Sequence, residues 1–93
     1  MFFYTYVLES KKDKGLYVGY TNNLQKRLEE HYKGTNFSTK FRLPFRLIYF
    51  EGCLNMQDAK RRENYLKTTQ GRRFLGLRLS EYKRHNQAFG TGS

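Results

Sequence analysis

Cysteine, proline, tryptophan and acidic side chains are all scarce in this chain, and the scarcities narrow what it can be. The one cysteine, Cys53, has no internal disulfide partner, and one Cys with two His cannot build a zinc cluster. A lone thiol fits a reducing compartment, and its place near a strand end fits a buried small apolar residue. The one proline, Pro44, closes a polar, basic stretch (35–44) that reads as a loop. No apolar run approaches the roughly 20 residues of a membrane span. The start, Met1-Phe2-Phe3-Tyr4, runs straight into strand-like sequence without the basic and apolar regions of a signal peptide. A cytoplasmic protein with no membrane segment is expected.

What is abundant is positive charge. Eighteen Lys and Arg against eight Asp and Glu leave a formal +10 on 93 residues. Such an excess on one small domain points to a polyanionic partner, nucleic acid before others. The plain alternatives are a ribosomal or chromatin-type structural binder, or a merely basic soluble protein. Aromatics make up 17%, as eight Tyr and eight Phe, enough for a compact core.

Along the chain, residues 2–8 are β-branched and aromatic and predict a strand covered on both faces. A polar turn at 10–15 ends in Gly15, and 16–20 predicts the second strand of a hairpin. Gly19 inside that strand marks a weak point or a close backbone approach. Thr21-Asn22-Asn23 is a helix cap cluster for a helix over 23–33, with Gly34 as its stop. A third strand follows at 45–50, then a helix over 55–67 capped by Asn55, with Asp58 in its first turn. Its apolar stripe is Met56, Ala59 and Leu66, and Glu63 completes that stripe. Gly71 interrupts the pattern, and a basic third helix is expected over 72–84. The order β-β-α-β-α-α describes a small three-stranded sheet with flanking helices, an α/β or α+β fold. One domain over 1–85 and a frayed tail over 86–93 are expected, with no repeat or linker.

Several side chains carry chemistry in this frame. Tyr4 and Tyr6 share one face of the first strand, and Tyr17 lies on the second; packing alone is the plain reading for strand tyrosines. Arg27 and His31, four apart on a helix, are neighbours suited to phosphate contact and proton transfer; the plain reading is an exposed polar face. Glu63 is the only acid between Lys60 and Arg78. On a stripe facing the sheet it needs a cation or a metal as partner. A single carboxylate suits one Mg²⁺ that keeps most of its waters and takes other oxygens from phosphate.

Together these residues resemble the GIY-YIG nuclease domain, in its short stand-alone bacterial form. Tyr4-Thr5-Tyr6 stands where the family has Gly-Ile-Tyr, keeping only the final Tyr. Tyr17-Val18-Gly19 is the second motif, followed by Tyr20-Thr21. The helix from Leu24 to His31 matches the family's Arg and His positions, and Asp58 to Lys67 resembles the helix with its metal-binding Glu. The likeness covers residues 3 to about 80.

The resemblance implies a mixed three-stranded sheet and a divalent-metal-dependent endonuclease. Tyr17 is then the general base or its relay at the attacking water, and Tyr6 positions phosphate or water. Arg27 neutralises charge on the phosphate, His31 assists proton transfer or orients the phosphate, and Glu63 holds one Mg²⁺ or Mn²⁺. Gly19 leaves space for the approaching phosphate. Lys26, Lys40, Arg42, Lys60, Arg61, Arg72 and Arg73 are expected to meet the nucleic acid. DNA is expected before RNA, in branched or damaged form, bound by a monomer or weak homodimer. The competing reading is a non-catalytic basic nucleic-acid-binding module. It rests on the run from Lys60 to Arg84, where nine cations face only Glu63 and Glu81.

Overall fold

The aromatic and β-branched run forms β1 (Phe3–Ser10), and its interior residues Thr5, Tyr6, Val7 and Leu8 are all buried. A computed structural model describes residues 1–36 and 39–90, with side chains described as far as Asn86. In it β1 is the central strand of a three-stranded sheet of order β2-β1-β3, with β2 at Leu16–Thr21 and β3 at Phe45–Cys53. Both neighbours run antiparallel to β1. The implied mixed sheet is thereby corrected, and the fold is α+β. The reason is the connections: β2 returns through a tight turn, and β3 reaches the other edge of β1 in the same sense as β2, so no parallel pair forms.

The turn is built from polar side chains. The Asp13 carboxylate accepts from the Gly15 N–H at 2.8 Å, and Lys14 takes a left-handed conformation at φ 64°. Register then sets the faces. Tyr6 lies opposite Gly19 and Phe50, and Leu8 opposite Tyr17 and Leu47. This face is covered by α1 (Leu24–Tyr32), which starts where Asn23 Oδ1 accepts from the Lys26 N–H and stops near Gly34 at φ +76°. Leu24 and Leu28 close over Tyr6, Leu8 and Phe45.

The opposite face, with Thr5 and Glu51, meets the start of α2 (Met56–Leu66). The Thr5 hydroxyl donates to the Ala59 carbonyl at 2.8 Å. Arg62 forks onto Glu51 at 2.9 and 3.0 Å, and Tyr49 donates to the same carboxylate. Asn55 caps α2 as expected, accepting from Gln57 and Asp58. The expected stripe is only partly buried. Ala59 and Leu66 are inside, but Met56 is 38% exposed and Glu63 half-buried. Met56 lies in the first turn, where the helix has only just left the exposed Leu54-Asn55 corner.

Met1–Glu63 form one compact unit and Asn64–Ser93 a second. In the second, the expected single helix over 72–84 is two helices, α3 (Thr69–Arg78) and α4 (Ser80–Gly90). They part at Leu79, where φ −112° and ψ 28° leave the helical region. Gly71 does not interrupt a helix but sits buried in the first turn of α3, where its N–H donates to the cap Thr68 Oγ1 at 3.1 Å. α4 continues past Asn86 to Gly90, so the expected tail over 86–93 falls partly on helix; 91–93 lie outside the described residues. No described helix is long and apolar enough to cross a membrane.

Candidate active site

Tyr6 organises the site because three elements converge on its ring. A Cβ on residue 19 would lie 2.5 Å from the Tyr6 Cζ and hydroxyl oxygen. The expected purpose of Gly19, space for an incoming phosphate, is therefore replaced: Tyr6 itself occupies that space from across the strand pair. The Tyr6 hydroxyl lies 2.8 Å from His31 Nε2, and the Arg27 charge acts on the same hydroxyl. On its other side, His31 Nδ1 lies 2.8 Å from Thr39 Oγ1.

Donor and acceptor roles are linked along this row. A neutral imidazole donates at one ring nitrogen and accepts at the other. Where Nε2 accepts from the Tyr6 O–H, Nδ1 carries the proton and donates it to Thr39 Oγ1, and the other tautomer reverses both. Burial holds His31 below its ordinary pKa, with the Arg27 charge adding and Glu30 opposing. Burial also pushes Tyr6 up to about 12, helped by Tyr17 and Glu63 and opposed by Arg27. At neutral pH the row Tyr6–His31–Thr39 is thus uncharged, beside the Arg27 cation.

Beside Tyr6 and His31 the structure sets the sequence-predicted Tyr17, with the Arg27 and Glu63 charges acting on Tyr6. Tyr17 is half-buried, its ring 5.3 Å from His31 and 6.4 Å from Tyr6. Arg27 keeps 37% of its side chain exposed, with Nε 3.1 Å from Glu30 and Nη1 donating to the Tyr20 carbonyl at 3.4 Å. Glu63 is half-buried, and its charge acts on Tyr6. His31 is fully buried, which removes the exposed-face reading for it. With both ring nitrogens engaged, it reaches a substrate only through Tyr6.

Two partners escaped the sequence. Glu30, which orients Arg27, stands three residues further along α1, and that spacing is a legible signal. Thr39 comes from a polar loop with no periodicity, and nothing in the sequence marks it.

The expected nucleic-acid cations are more scattered. Lys26 is exposed beside Arg27, in a polar cleft with Thr21, Asn22, Asn23 and Glu30. Lys60 is exposed, its ammonium 5.4 Å above the Tyr20 ring. Arg61 pairs with Asp58 at 3.0 Å. Lys40 and Arg42 lie on a short 3-10 helix, and Arg42 is half-buried, 3.6 Å from Asp13 and stacked over Phe45. Arg72 and Arg73 are exposed on α3, in the second unit. Cys53 ends β3, half-buried, with its Sγ 3.3 Å from the Asn55 carbonyl oxygen.

The buried pair makes stability depend on pH in two windows. Folded His31 holds a proton less tightly than the unfolded chain does. Its stabilisation is therefore complete above about pH 6.5 and is lost as pH falls below that value toward the folded pKa. Folded Tyr6 holds its proton more tightly. Its contribution, on the order of 3 kcal/mol, is complete below pH 10 and is lost as pH rises through about 12. Thermal melting followed by circular dichroism is expected to show both declines. His31→Gln flattens the acid one and Tyr6→Phe the alkaline one. Unchanged slopes in these variants contradict the assigned protonation.

This fold and this site define a catalytic domain: the chain matches the GIY-YIG catalytic domain over residues 2–78 and belongs to that family. The family implies phosphodiester hydrolysis of the nuclease type, on nucleic acid. Within it, the chain is similar to short bacterial UPF0213 proteins. One from Clostridium perfringens is 45% identical over 65 residues, 69% of each chain. One from Oceanobacillus iheyensis is 38% identical over 81 residues, 86% of this chain and 91% of that one. The solution structure of a UPF0213 protein from Bacillus halodurans is similar at a TM-score of 0.57 and 28% identity, covering 94% of this chain and 96% of that one.

Proposed function

We propose that the protein is a divalent-metal-dependent endonuclease that cuts DNA, acting as a monomer or weak homodimer on branched or damaged structures. The observation that carries this reading is the row Tyr6–His31–Thr39 with Tyr17 and the Arg27 and Glu63 charges beside it. Five residues expected to act on one phosphate converge, and they do so from β1, β2, α1 and α2. A merely basic binder has no need of that convergence.

Each residue has a part set by its surroundings. Tyr6 stays protonated at neutral pH, so it holds His31 rather than acting as a base. Of the two tyrosines Tyr17 is the one with exposed surface, and it relays the proton of the attacking water, giving up its own phenolic proton as it accepts, or accepts it as the phenolate. Arg27 commits two of its five N–H groups to Glu30 and the Tyr20 carbonyl. The remainder point to phosphate oxygens, where charge grows during displacement. His31, held by Thr39, fixes the Tyr6 ring beside the Arg27 cation.

The donor set also speaks to the metal. Among the described residues no three His, Cys, Asp or Glu side chains gather around one point. That disagrees with a fully protein-caged ion. It fits Mg²⁺ or Mn²⁺ held by the Glu63 carboxylate, with waters and phosphate completing the shell. Such an ion supplies charge neutralisation at the phosphate.

The test is cleavage of end-labelled single strand, duplex, flap, three-way and four-way junctions and a matched RNA, each with Mg²⁺, Mn²⁺ or EDTA. Metal-dependent cutting of a DNA substrate is expected, reduced roughly 10²–10⁴-fold in Tyr17→Phe. Binding without cutting under every metal would leave the non-catalytic binder as the correct reading.

A further inference from the structure

The face of the sheet that carries Tyr6 does not end at the active site. Toward the start of β1 it carries Tyr4, opposite Gly52, and Phe50 stands opposite Tyr6. Three rings form a ladder there: Phe2 to Tyr4 at 6.3 Å and Tyr4 to Phe50 at 6.2 Å. Phe2 and Phe50 are each 51% exposed. A Cβ on Gly52 would lie 3.2 Å from Tyr4 Cε1 and 3.4 Å from Phe2 Cδ1, so the glycine lets the rings lie against the strand. Isolated exposed apolar residues need no explanation, but a contiguous open row of rings does.

What covers the row is indicated by charge and by position. A second copy carries the same +10 and is repelled, whereas a polyanion is attracted. Tyr4 lines a cleft of about 480 Å³ with Asn22, Asn23, Leu24, Gln25 and Leu28. Asn22 and Asn23 also line the adjoining cleft that holds Lys26 and Arg27. Through Tyr4 the row therefore adjoins the cations suited to phosphate. Aromatic faces beside a cationic track are the physical recipe for single-stranded nucleic acid, because unpaired bases expose faces that a continuous duplex keeps stacked.

We propose that Phe2, Tyr4 and Phe50 form a stacking platform for unpaired bases next to the phosphate at Arg27, so that the substrate class is single-stranded nucleic acid or the unpaired arm of a branched one. The proposal rests on the nuclease reading for that phosphate's place, but its test does not require cutting. Fluorescence anisotropy in EDTA compares the full chain on a labelled thymidine 12-mer, an abasic strand of equal length and a duplex. Replacing both exposed rings (Phe2→Leu with Phe50→Leu) keeps apolar bulk and removes the π-faces. It is expected to weaken thymidine-strand binding about tenfold or more. Abasic and duplex binding should stay within about twofold, since phosphate contacts alone hold them. The corresponding Tyr pair restores the loss.

Equal weakening on the abasic strand overturns the proposal, and so does unweakened binding of the thymidine strand. A wild-type dimer that dissolves in the Leu variant, seen by sedimentation, overturns it in favour of a second copy. Crosslinking of the unmutated protein to a 5-iodouracil strand tests the same contact independently: adducts on peptides holding Phe2–Tyr4 or Phe50 are expected, and adducts confined elsewhere refute it. Absence of cutting with any metal, alongside the base-dependent binding, removes the nuclease reading and leaves the platform standing.

Discussion

Glu63→Ala is expected to abolish metal-dependent cleavage, with a loss of at least about 10³-fold in single-turnover rate, while binding in EDTA stays within twofold of the wild type. The size follows from what the proposed ion supplies: several kcal/mol of charge neutralisation, where each 1.4 kcal/mol is a factor of ten. Glu63 is the acid whose charge acts on Tyr6, and no alternative cluster of metal-ligating side chains stands among the described residues. Glu63→Gln keeps the shape and loses the charge, so it separates metal holding from packing, and raising Mn²⁺ is expected to recover little in either variant. The same substitutions remove one of the influences that push the Tyr6 hydroxyl toward pKa 12. The ultraviolet titration of that tyrosine should move down in parallel. A Glu63→Ala protein that cuts at the wild-type rate would take the metal away from this residue.

The largest effect on folding is expected from Gly71→Ala. Helix propensity alone predicts the opposite sign, since Ala is about 1 kcal/mol better than Gly inside a helix. At this position, however, a Cβ would run into the Tyr65 carbonyl oxygen and the Leu66 Cα, which are backbone atoms and have no rotamer to change. Glycine is what permits α3 to begin only three residues after α2 ends. Forcing a methyl into that gap is overpacking, on the order of 3 kcal/mol gross. Net of propensity the loss is about 2 kcal/mol, and the melting temperature should fall by roughly 10 °C. A melting temperature at or above that of the wild type would show that the α2–α3 corner opens freely.

Much of this molecule was legible in the chain itself. Aromatic and β-branched runs marked all three strands, most plainly β1, because a central strand must satisfy burial on both faces and advertises it. Capping chemistry placed the starts of α1 and α2, since Asn23 and Asn55 serve backbone donors within three residues of themselves. The order of Tyr6, Tyr17, Arg27, His31 and Glu63 pointed to one site. All of these signals are local or a matter of order, and local energetics write them directly into sequence.

Tertiary structure decided what depends on residues far apart in the chain. Strand sense hung on how the connections closed. The break at Leu79 is a backbone choice within a run that reads as evenly helical. Gly19 is needed because the Tyr6 ring arrives from another strand. His31 changes from a surface histidine to a buried neutral one because Tyr6 and Thr39 meet its two nitrogens. Protonation, donor direction and the division of labour between two tyrosines are properties of those distances and that desolvation, and neither exists until the chain has folded.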